Sequence, residues 1–496
     1  MSNKMERRAF LRMYGGGALT TILLSSKLES ARLPNIVVIM GDDLGYSDLS
    51  CYGSRMTSTP NCDRLAREGR RFTDAHTPSA VCSPTRYGLL TGRYCWRTRL
   101  QQWVCTPDDP LLIDTRRMTV ASLLKKHGYA TGCVGKWHLG FGTQEPADWN
   151  RSLRPGPLDV GFDYYFGVPT SNNWPPFVYV ENDRIVGRKP DERIVIDLSL
   201  RYNFKEISGI ANKRKDEEIG QTLAEKAVQF IERNKEKPFF LYLPTCAVHL
   251  PITPGSQVQG TSRAGKYGDF VHEFDWTVGR ALDTLDRHKL TDNTLVIVTS
   301  DNGALESPSQ ETGHSPNGPL RGQKAEIYEG GHRVPFIARW PAKIPAGTTC
   351  EEVVCLTDLL ATFAELLGEP LPHNAGEDSY SILPALCGEK LGQPIREATV
   401  HHSVDGTFAI RQGPWKLILG PGSGRSPDVV VNRFNERIPK PPGPGEPRGQ
   451  LYNLAKDPAE QDNVYNEHPQ IVDALSALLE RYRQQGYSRP TDIGAR

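Results

Sequence analysis

The chain has 496 residues, of which 38% are hydrophobic and 24% charged, and its formal net charge at pH 7 is +1. This composition is typical of a globular protein, and the length allows a large core and leaves room for two domains. A nearly neutral chain has no general electrostatic attraction for nucleic acid. We therefore expect no nucleic-acid partner, and any anion should be bound by a local cluster of cations.

The N-terminal segment, residues 1–32, resembles a twin-arginine export signal. Arg7 and Arg8 precede a weakly apolar run at residues 15–26. This run is too short for a membrane anchor, because a spanning helix needs about 20 apolar residues. We expect recognition by the twin-arginine (Tat) export machinery and export to a bacterial periplasm or beyond, with no stable membrane anchor. A disordered basic terminus with a chance Arg-Arg pair is the alternative.

Four short apolar runs that end at turns predict buried strands. They cover residues 35–40, 129–134, 238–243 and 294–299. Helices are predicted at residues 63–68, 120–127, 219–234 and 272–288. This alternation predicts an α/β fold with a large, mixed, mostly parallel sheet flanked by helices, which we assign to residues 33–385.

Polar side chains follow each predicted strand. Ligands of open α/β sheets bind in the crevice outside the carboxyl ends of the strands, so we expect these side chains to converge. Oxygen ligands follow the first and last strands and suit Ca²⁺, which we favour, or Mg²⁺, whereas zinc prefers nitrogen and sulfur. The oxygen ligands are Asp42, Asp43, Asp301 and Asn302, and the cationic or titratable groups after the other two strands are Lys136, His138 and His249.

Residues 82–93 read C-S-P-T-R-Y-G-L-L-T-G-R. This run resembles the sulfatase signature, in which L-T-G-R follows C-x-P-x-R, and the longer pattern is more specific than C-x-P-x-R alone. Residues 320–324 and 329–335 match the L-R-G-x-K and E-G-G-x-R-x-P elements of that family, in the same order. The alternative is a structural cysteine beside a surface loop. The chain is thus similar to formylglycine-dependent (type I) sulfatases, such as arylsulfatases and N-acetylgalactosamine-6-sulfatases.

The resemblance implies an alkaline-phosphatase-like fold and a modified residue in the active site. In this family the cysteine, here Cys82, is oxidised by a separate maturase to formylglycine (3-oxoalanine), whose hydrate attacks the sulfur of a sulfate ester. The implied reaction releases inorganic sulfate from that ester. The residues implied to bind the cation are Asp42, Asp43, Asp301, Asn302 and the modified Cys82.

Family roles carried onto matching positions divide the remaining polar groups between the sulfate and proton transfer. Arg86, Lys136 and Lys324 would neutralise the sulfate oxygens. His138 would take a proton from the hydrate when sulfate is expelled. His249, with Lys324, would protonate the leaving oxygen.

The substrate is predicted from loops and from the C-terminal part of the chain. Ser171 loosely matches a serine that the family often places near the sulfate. Asn172, Asn173 and Trp174, or His401 and His402 from the C-terminal part, are expected to contact the group that carries the sulfate. Aromatic and amide side chains suit a sugar ring, so we favour a sulfated carbohydrate over an aryl sulfate. The alternatives are a phosphomonoester or phosphodiester hydrolase of the same superfamily and a non-catalytic protein that binds sulfated glycans.

Residues 386–496 are expected to form a smaller domain with an antiparallel sheet and a helix. Strands are predicted at residues 407–411 and 415–418, and a long Gly- and Pro-rich loop at residues 420–450. Residues 451–454 and a turn at residues 457–458 follow, and a helix ends the chain. The apolar face of the final helix consists of Ile471, Leu475, Leu478, Leu479 and Tyr482.

The chain contains ten cysteines. An exported protein can form disulfides, but the spacing of these cysteines does not fix a pairing. Conversion of Cys82 would leave an odd number of thiols, so at least one would stay unpaired within a monomer.

Overall fold

The computed structural model describes residues 33–199, 203–425, 429–431, 437–439 and 441–490. The export signal predicted at residues 1–32 lies outside the described residues. Within the described ranges, no helix combines the length and the apolarity that a membrane crossing requires.

Strands and helices are numbered in chain order. The described strands are β1 (Asn35–Gly41), β2 (Arg70–Phe72), β3 (Ala75–His76), β4 (Ala130–Val134), β5 (Tyr164–Gly167), β6 (Val180–Glu181), β7 (Arg184–Ile185), β8 (Val195–Asp197), β9 (Lys205–Ser208), β10 (Phe239–Pro244), β11 (Thr294–Ser300), β12 (Phe336–Arg339), β13 (Thr348–Cys350), β14 (Val354–Cys355), β15 (Thr399–His402), β16 (Phe408–Gln412), β17 (Trp415–Ile418), β18 (Val429–Val431), β19 (Arg437–Pro439) and β20 (Gln450–Asn453). The described α-helices are α1 (Pro60–Glu68), α2 (Cys82–Thr91), α3 (Val120–Lys126), α4 (Ile219–Asn234), α5 (Gly265–Arg287), α6 (Glu329–His332), α7 (Leu359–Leu366), α8 (Leu383–Cys387) and α9 (Pro469–Gln485).

The main layer is a ten-stranded mixed sheet with the strand order β13-β2-β12-β11-β1-β10-β4-β5-β6-β7. Its middle strands, from β11 to β5, are parallel to one another, and antiparallel pairs flank them on both sides. β1, β10 and β11 are buried along their whole length, as expected for strands covered on both faces. The four strands predicted from the sequence are adjacent in this sheet, so the predicted mostly parallel arrangement is confirmed.

Helices α4 and α5 pack against the sheet through a common apolar core, in which Val37 and Ile39 of β1 meet Leu223 of α4 and Phe274 of α5. The prediction for α4 is confirmed at both ends, because its heptad-like pattern of apolar residues is uninterrupted.

The predicted start of α5 at residue 272 is wrong, because the helix begins at Gly265. Tyr267 and Phe270 in its first turns are buried in the same core. Between them lies a buried acid, Asp269, whose carboxylate accepts the backbone N–H groups of Gly260 and Ser262. A carboxylate inside the helix's buried stretch breaks the apolar pattern on which the prediction rested.

The C-terminal part contains a four-stranded antiparallel sheet with the order β15-β16-β17-β20. Helix α9 covers it with the predicted apolar face, although Ile471 is only partly buried. The predicted loop at residues 420–450 is interrupted by the antiparallel pair β18 and β19. Residues 34–496 form one compact unit, and the domain boundary between residues 385 and 386 stays a prediction.

All ten cysteines lie in the described ranges, and all are free thiols. Cys350 and Cys355, which are neighbours in the sequence, lie on the separate strands β13 and β14. The core therefore depends on packing without disulfide cross-links.

Glu273 is an acid of the α5 core face that is 2% exposed. Its Oε2 accepts the backbone N–H of Gly255 at 2.6 Å, and no ion pair to it is found within the part of the chain that the structure describes. Burial raises the pKa of Glu273 to about 7, against the opposing effect of the Gly255 hydrogen bond. The acid is therefore protonated in the folded protein at pH values where the unfolded chain has already lost this proton.

Glu273→Gln should stabilise the protein at neutral pH. Folding raises the pKa of Glu273, so this carboxyl lowers the free energy of unfolding only where the unfolded chain has lost the proton. The destabilisation is absent below pH 4.5, grows as the pH rises towards 7 and is then constant. The gain in the free energy of unfolding should reach on the order of 3 kcal/mol above pH 7. Denaturant unfolding at several pH values measures it, with exposed Glu217→Gln as the control. A gain that is equal at pH 4.5 and pH 7.5 would contradict the assignment.

Candidate active site

The carboxyl ends of four adjacent parallel strands bring seven polar residues to one edge of the large sheet. Two of these residues, Asp43 and His138, have left-handed backbone conformations, with φ of 63° and 55°. Such conformations are unfavourable for residues other than glycine and persist only where the surroundings enforce them. The seven residues are Asp42 and Asp43 after β1, Lys136 and His138 after β4, His249 after β10, and Asp301 and Asn302 after β11.

Helix α2 adds Cys82 and Arg86 to this cluster. Cys82 is its first residue, and Arg86 follows one turn later on the same face. The guanidinium of Arg86 is fully buried and donates from Nε and Nη2 to Oδ2 of Asp301, at 3.1 and 2.7 Å. Its Nη1 donates to the backbone carbonyl of Lys136 at 2.9 Å. Arg86 thus links the segment after β4 to the segment after β11.

Two lysines neutralise the other carboxylates. Nζ of Lys136 donates to Oδ2 of Asp42 at 2.7 Å, and Nζ of Lys324 donates to Oδ2 of Asp43 at 2.7 Å. Burial alone would raise the pKa of Asp43, but the charge of Lys324 holds it below its ordinary value. Burial would lower the pKa of Lys136, and the charge of Asp42 outweighs this and raises it. Asp43 and Lys324 are therefore present as ions of opposite charge.

The oxygen donors of the cluster fit a hard divalent cation. Oδ1 of Asp42 and Oδ1 of Asn302 are buried and accept no hydrogen bond, and leaving such an acceptor unsatisfied costs about 1–3 kcal/mol. Asp42, Cys82 and Asp301 each offer a ligand atom, and these atoms lie within 4.8 Å of one another. Carboxylate and amide oxygens are the ligands that Ca²⁺ and Mg²⁺ prefer.

His138 presents an acceptor to Cys82. Its Nε2 lies 2.8 Å from the carbonyl oxygen of Cys105, so Nε2 carries the proton and Nδ1 has a free lone pair. Nδ1 lies 3.3 Å from Sγ of Cys82. Burial, and then the charges of Lys136 and Arg86, lower the pKa of His138 well below its ordinary value. The neutral ring can therefore accept a proton from residue 82.

His249 is oriented in the opposite sense. Its Nδ1 donates to the carbonyl of Leu250 at 2.6 Å, which leaves Nε2 facing Oγ of Ser171 at 3.3 Å and Oδ2 of Asp43 at 3.8 Å. Burial, followed by the charge of Lys324, lowers the pKa of His249 well below its ordinary value. Nε2 of His249 is thus the nitrogen available to a ligand.

The thiol of Cys82 is a poor nucleophile in this environment. It is 2% exposed, and burial raises its pKa even though Lys136 and Lys324 oppose the rise. The thiolate is the reactive form of cysteine. An unmodified Cys82 is therefore held in its less reactive form.

A cavity of about 330 Å³ opens above Cys82. Its walls are largely apolar, with the indoles of Trp103 and Trp174 among them, and Arg425 from the C-terminal part of the chain also lines it. The remaining lining residues are Val81, Val104, His138, Ser171, Asn173, His249, Leu250, Leu305, Lys324, Ala325 and Val404.

Three residues predicted to contact the substrate lie outside this cavity. Asn172 is 1% exposed, whereas Asn173 and Trp174, which were predicted with it, line the cavity. Nδ1 of His401 donates to the carbonyl of Thr77, 2.8 Å away, and the ring stacks on His332 with ring centroids 3.9 Å apart. His402 is likewise buried within β15. The sequence does not show that β15 packs behind the segment leading to Cys82, which explains the error.

Sequence analysis missed Trp103 and Arg425 as lining residues. Trp103 lies between predicted elements, and its backbone N–H donates to the carbonyl of Val404 at 2.7 Å. Arg425 lies in the Gly- and Pro-rich segment that was predicted only as a loop. The positions of both residues depend on the packing of the C-terminal sheet against the main layer. The only signal in the sequence is that each is a large or charged side chain in a loop.

The fold and the buried cluster of carboxylates and cations define an alkaline-phosphatase-like hydrolase. The family model described as Sulfatase matches residues 34–369. An N-acetylgalactosamine-6-O-sulfatase from Bacteroides thetaiotaomicron is 38% identical over 492 residues, covering 91% of this chain and 93% of the relative. Human arylsulfatase A is 33% identical, covering 92% of this chain and 89% of the relative.

A solved structure from the same Bacteroides species, described in connection with the metabolism of multiple glycosaminoglycans, has a TM-score of 0.83 and 37% identity. It covers 92% of this chain and 100% of that chain. The chain belongs to the sulfatase family and is an enzyme that hydrolyses sulfuric esters.

Ca²⁺ should raise the midpoint of thermal unfolding of protein stripped with a chelator, because it would give a partner to Oδ1 of Asp42 and of Asn302, which accept no hydrogen bond. A ligand at 100 times its Kd stabilises by about 2.7 kcal/mol. Asn302→Leu should remove most of the Ca²⁺-dependent shift, whereas exposed Asn212→Ala should keep it. Differential scanning fluorimetry with Ca²⁺ or Mg²⁺ measures the shift and ranks the two ions. Equal shifts in wild type and Asn302→Leu would refute the site.

Proposed function

We propose that this protein releases inorganic sulfate from a sulfated carbohydrate through a formylglycine made from Cys82 by a separate maturase. The observation that carries the proposal is the position of Cys82. It begins α2 at the base of the cavity, its Sγ lies 3.3 Å from the neutral Nδ1 of His138, and Lys136 and Lys324 are charged neighbours. The raised pKa of the thiol favours a nucleophile other than the encoded cysteine.

Formylglycine at position 82 would supply a hydrated aldehyde, one hydroxyl of which attacks sulfur while the other later expels the sulfate. A Ca²⁺ ion, held by residue 82 and the four oxygen ligands Asp42, Asp43, Asp301 and Asn302, would supply positive charge beside the nucleophile. Water is consumed overall, and the products are an alcohol and inorganic sulfate.

The protein's own cations would bind the sulfate. Arg86, Lys136 and Lys324 are fixed by ion pairs before substrate arrives, so no reorganisation is needed when charge builds on the sulfate oxygens. His138 would accept the proton released at position 82, because its Nδ1 lone pair faces that side chain.

His249 and Lys324 would supply the proton to the leaving oxygen. His249 is neutral in the free protein, and burial is the largest cause of its lowered pKa, with the charge of Lys324 second. A bound sulfate ester is anionic and would oppose the effect of Lys324, so the pKa of His249 would rise in the complex. Nε2, which faces Ser171 at the cavity wall, would then donate the proton.

A sulfated carbohydrate suits the cavity. Trp103 and Trp174 line it, and aromatic side chains suit a sugar ring. Its volume of about 330 Å³ is at the small end of ligand pockets, which span about 300–1,000 Å³. The similarity to an N-acetylgalactosamine-6-O-sulfatase makes 6-sulfated N-acetylgalactosamine the first substrate to test. Export through the Tat machinery by residues 1–32 would bring the enzyme to such a substrate, with residues 33–385 as the catalytic domain.

Protein made together with its maturase should contain a Cys82 peptide lighter by about 18 Da, the difference between a thiol and an aldehyde side chain. Peptide mass spectrometry measures the loss, and ion chromatography measures sulfate release from 6-sulfated N-acetylgalactosamine. Cys82→Ala should be inactive. Cys387→Ala, which removes a different free thiol, is the control and should remain active.

Unmodified protein with full turnover would overturn the proposed nucleophile. The phosphate ester of the same sugar tests the rival phosphoesterase function, and faster release of phosphate than of sulfate would favour that rival. Binding of the sulfated sugar by modified protein without release of sulfate would favour a non-catalytic glycan-binding protein.

His249→Gln should slow sulfate release from a sugar by about 10²- to 10⁴-fold, the usual contribution of a general acid. The loss should be smaller with nitrophenyl sulfate, whose phenolate leaves without a proton. Steady-state rates on both substrates measure the difference, and His272→Gln on α5 is the control. Equal losses on the two substrates would show that His249 does not protonate the leaving oxygen.

A further inference from the structure

The cavity contains a cation that none of the proposed catalytic roles uses. Arg425 lines the cavity together with Cys82 and Lys324. Nζ of Lys324 is committed to the carboxylate of Asp43 at 2.7 Å, whereas the guanidinium of Arg425 has a single long ion-pair contact in the described part of the chain, 3.4 Å to Oε1 of Glu326. The Arg425 side chain is 36% exposed.

Backbone contacts hold Arg425 in place at the cavity. The carbonyl of Ser423 accepts the N–H of Ile327 at 2.8 Å, and the carbonyl of Gly424 accepts the N–H of Asp405 at 3.3 Å. Gly424 has a φ of 70°, and a Cβ at this position would collide with the side chain of Ser403. The segment that carries Arg425 is thus bonded to the loop before α6 and to the loop after β15. A binding group on a fixed backbone loses less entropy when a ligand binds.

The contact with Glu326 uses only part of the hydrogen-bonding capacity of Arg425. Burial raises the pKa of Glu326, and Arg425 only partly opposes the rise. Oε1 of Glu326 also faces Nε2 of Gln323 at 3.4 Å. A guanidinium has five N–H donors. Among the described residues, one long contact to Glu326 uses them, so this part of the chain leaves donors for a planar or tetrahedral anion.

The geometry points to Arg425 as a specificity residue that binds a second anionic group of the substrate, a carboxylate or a further sulfate. This inference rests on the proposed function, because it assumes that a sulfated carbohydrate occupies the cavity. The ester sulfate would lie at the Cys82 end, among Arg86, Lys136 and Lys324. A second anion on the same or the next sugar would then meet Arg425, so the enzyme would select carbohydrates with two negative groups over those with one.

The test compares three substrates that share 6-sulfated N-acetylgalactosamine: the monosaccharide itself, a disaccharide in which it is joined to a uronic acid, and the monosaccharide with a second sulfate. The quantity measured is the kcat/KM of each doubly charged substrate divided by that of the singly charged one. Arg425→Gln should lower this ratio about 10- to 100-fold, because hydrogen bonds between charged groups contribute about 1.5–3 kcal/mol. Arg425→Lys should lower it less, since the charge remains without the planar fork.

Exposed Arg483→Gln on α9 is the control for loss of a surface cation, and its ratio should equal that of wild type. If Arg425→Gln lowers the ratio only for the disaccharide with the uronic acid, Arg425 binds a carboxylate. If it lowers the ratio only for the disulfated monosaccharide, Arg425 binds a sulfate. If wild type cleaves these sugars and neither ratio changes in Arg425→Gln, the inference is overturned while the proposed function stands. If wild type releases sulfate from none of the three, both fail.

Discussion

The site depends on three carboxylates and three cations that are buried together at one edge of the sheet. Asp42, Asp43 and Asp301 pair with Lys136, Lys324 and Arg86, and each pair joins segments that are far apart in the sequence. Burying an unpaired charge costs several kcal/mol, whereas a pair with good geometry offsets most of this cost. Removing any one partner would therefore leave its neighbour uncompensated. The same charges that would bind a cation and an anionic ester also fix the ends of the strands.

The two histidines show how hydrogen bonds to carbonyl groups set chemical roles. The carbonyl of Cys105 holds the proton of His138 on Nε2, and the carbonyl of Leu250 holds that of His249 on Nδ1. The rings therefore present opposite nitrogens to the cavity. Both are neutral because burial and nearby cations lower their pKa values. Of two residues of the same type, His138 can thus accept a proton while His249 can donate one.

The sequence predicts the middle of the sheet well because long apolar runs and their terminal turns are local signals. β1 and β11 form as predicted, and the polar residues after them meet because parallel strands end at one edge. His401 and His402 could not be placed, because their environment depends on how β15 packs against the segment before Cys82. The start of α5 was missed because buried Asp269 breaks its apolar pattern. Arg425 was missed because its position depends on tertiary contacts of a loop.

The burial of Cys82 also bears on the order of events during biosynthesis. Its Sγ lies at the base of a small cavity, and β15 covers the segment that leads to it, through a hydrogen bond from the N–H of Ala80 to the carbonyl of His402 at 3.0 Å. Cys82 is 2% exposed in the folded protein, so another protein that acts on its thiol has little access to it once that strand has docked. We therefore expect an enzyme that modifies Cys82 to act on the nascent or unfolded chain, before the last quarter of the sequence closes over it.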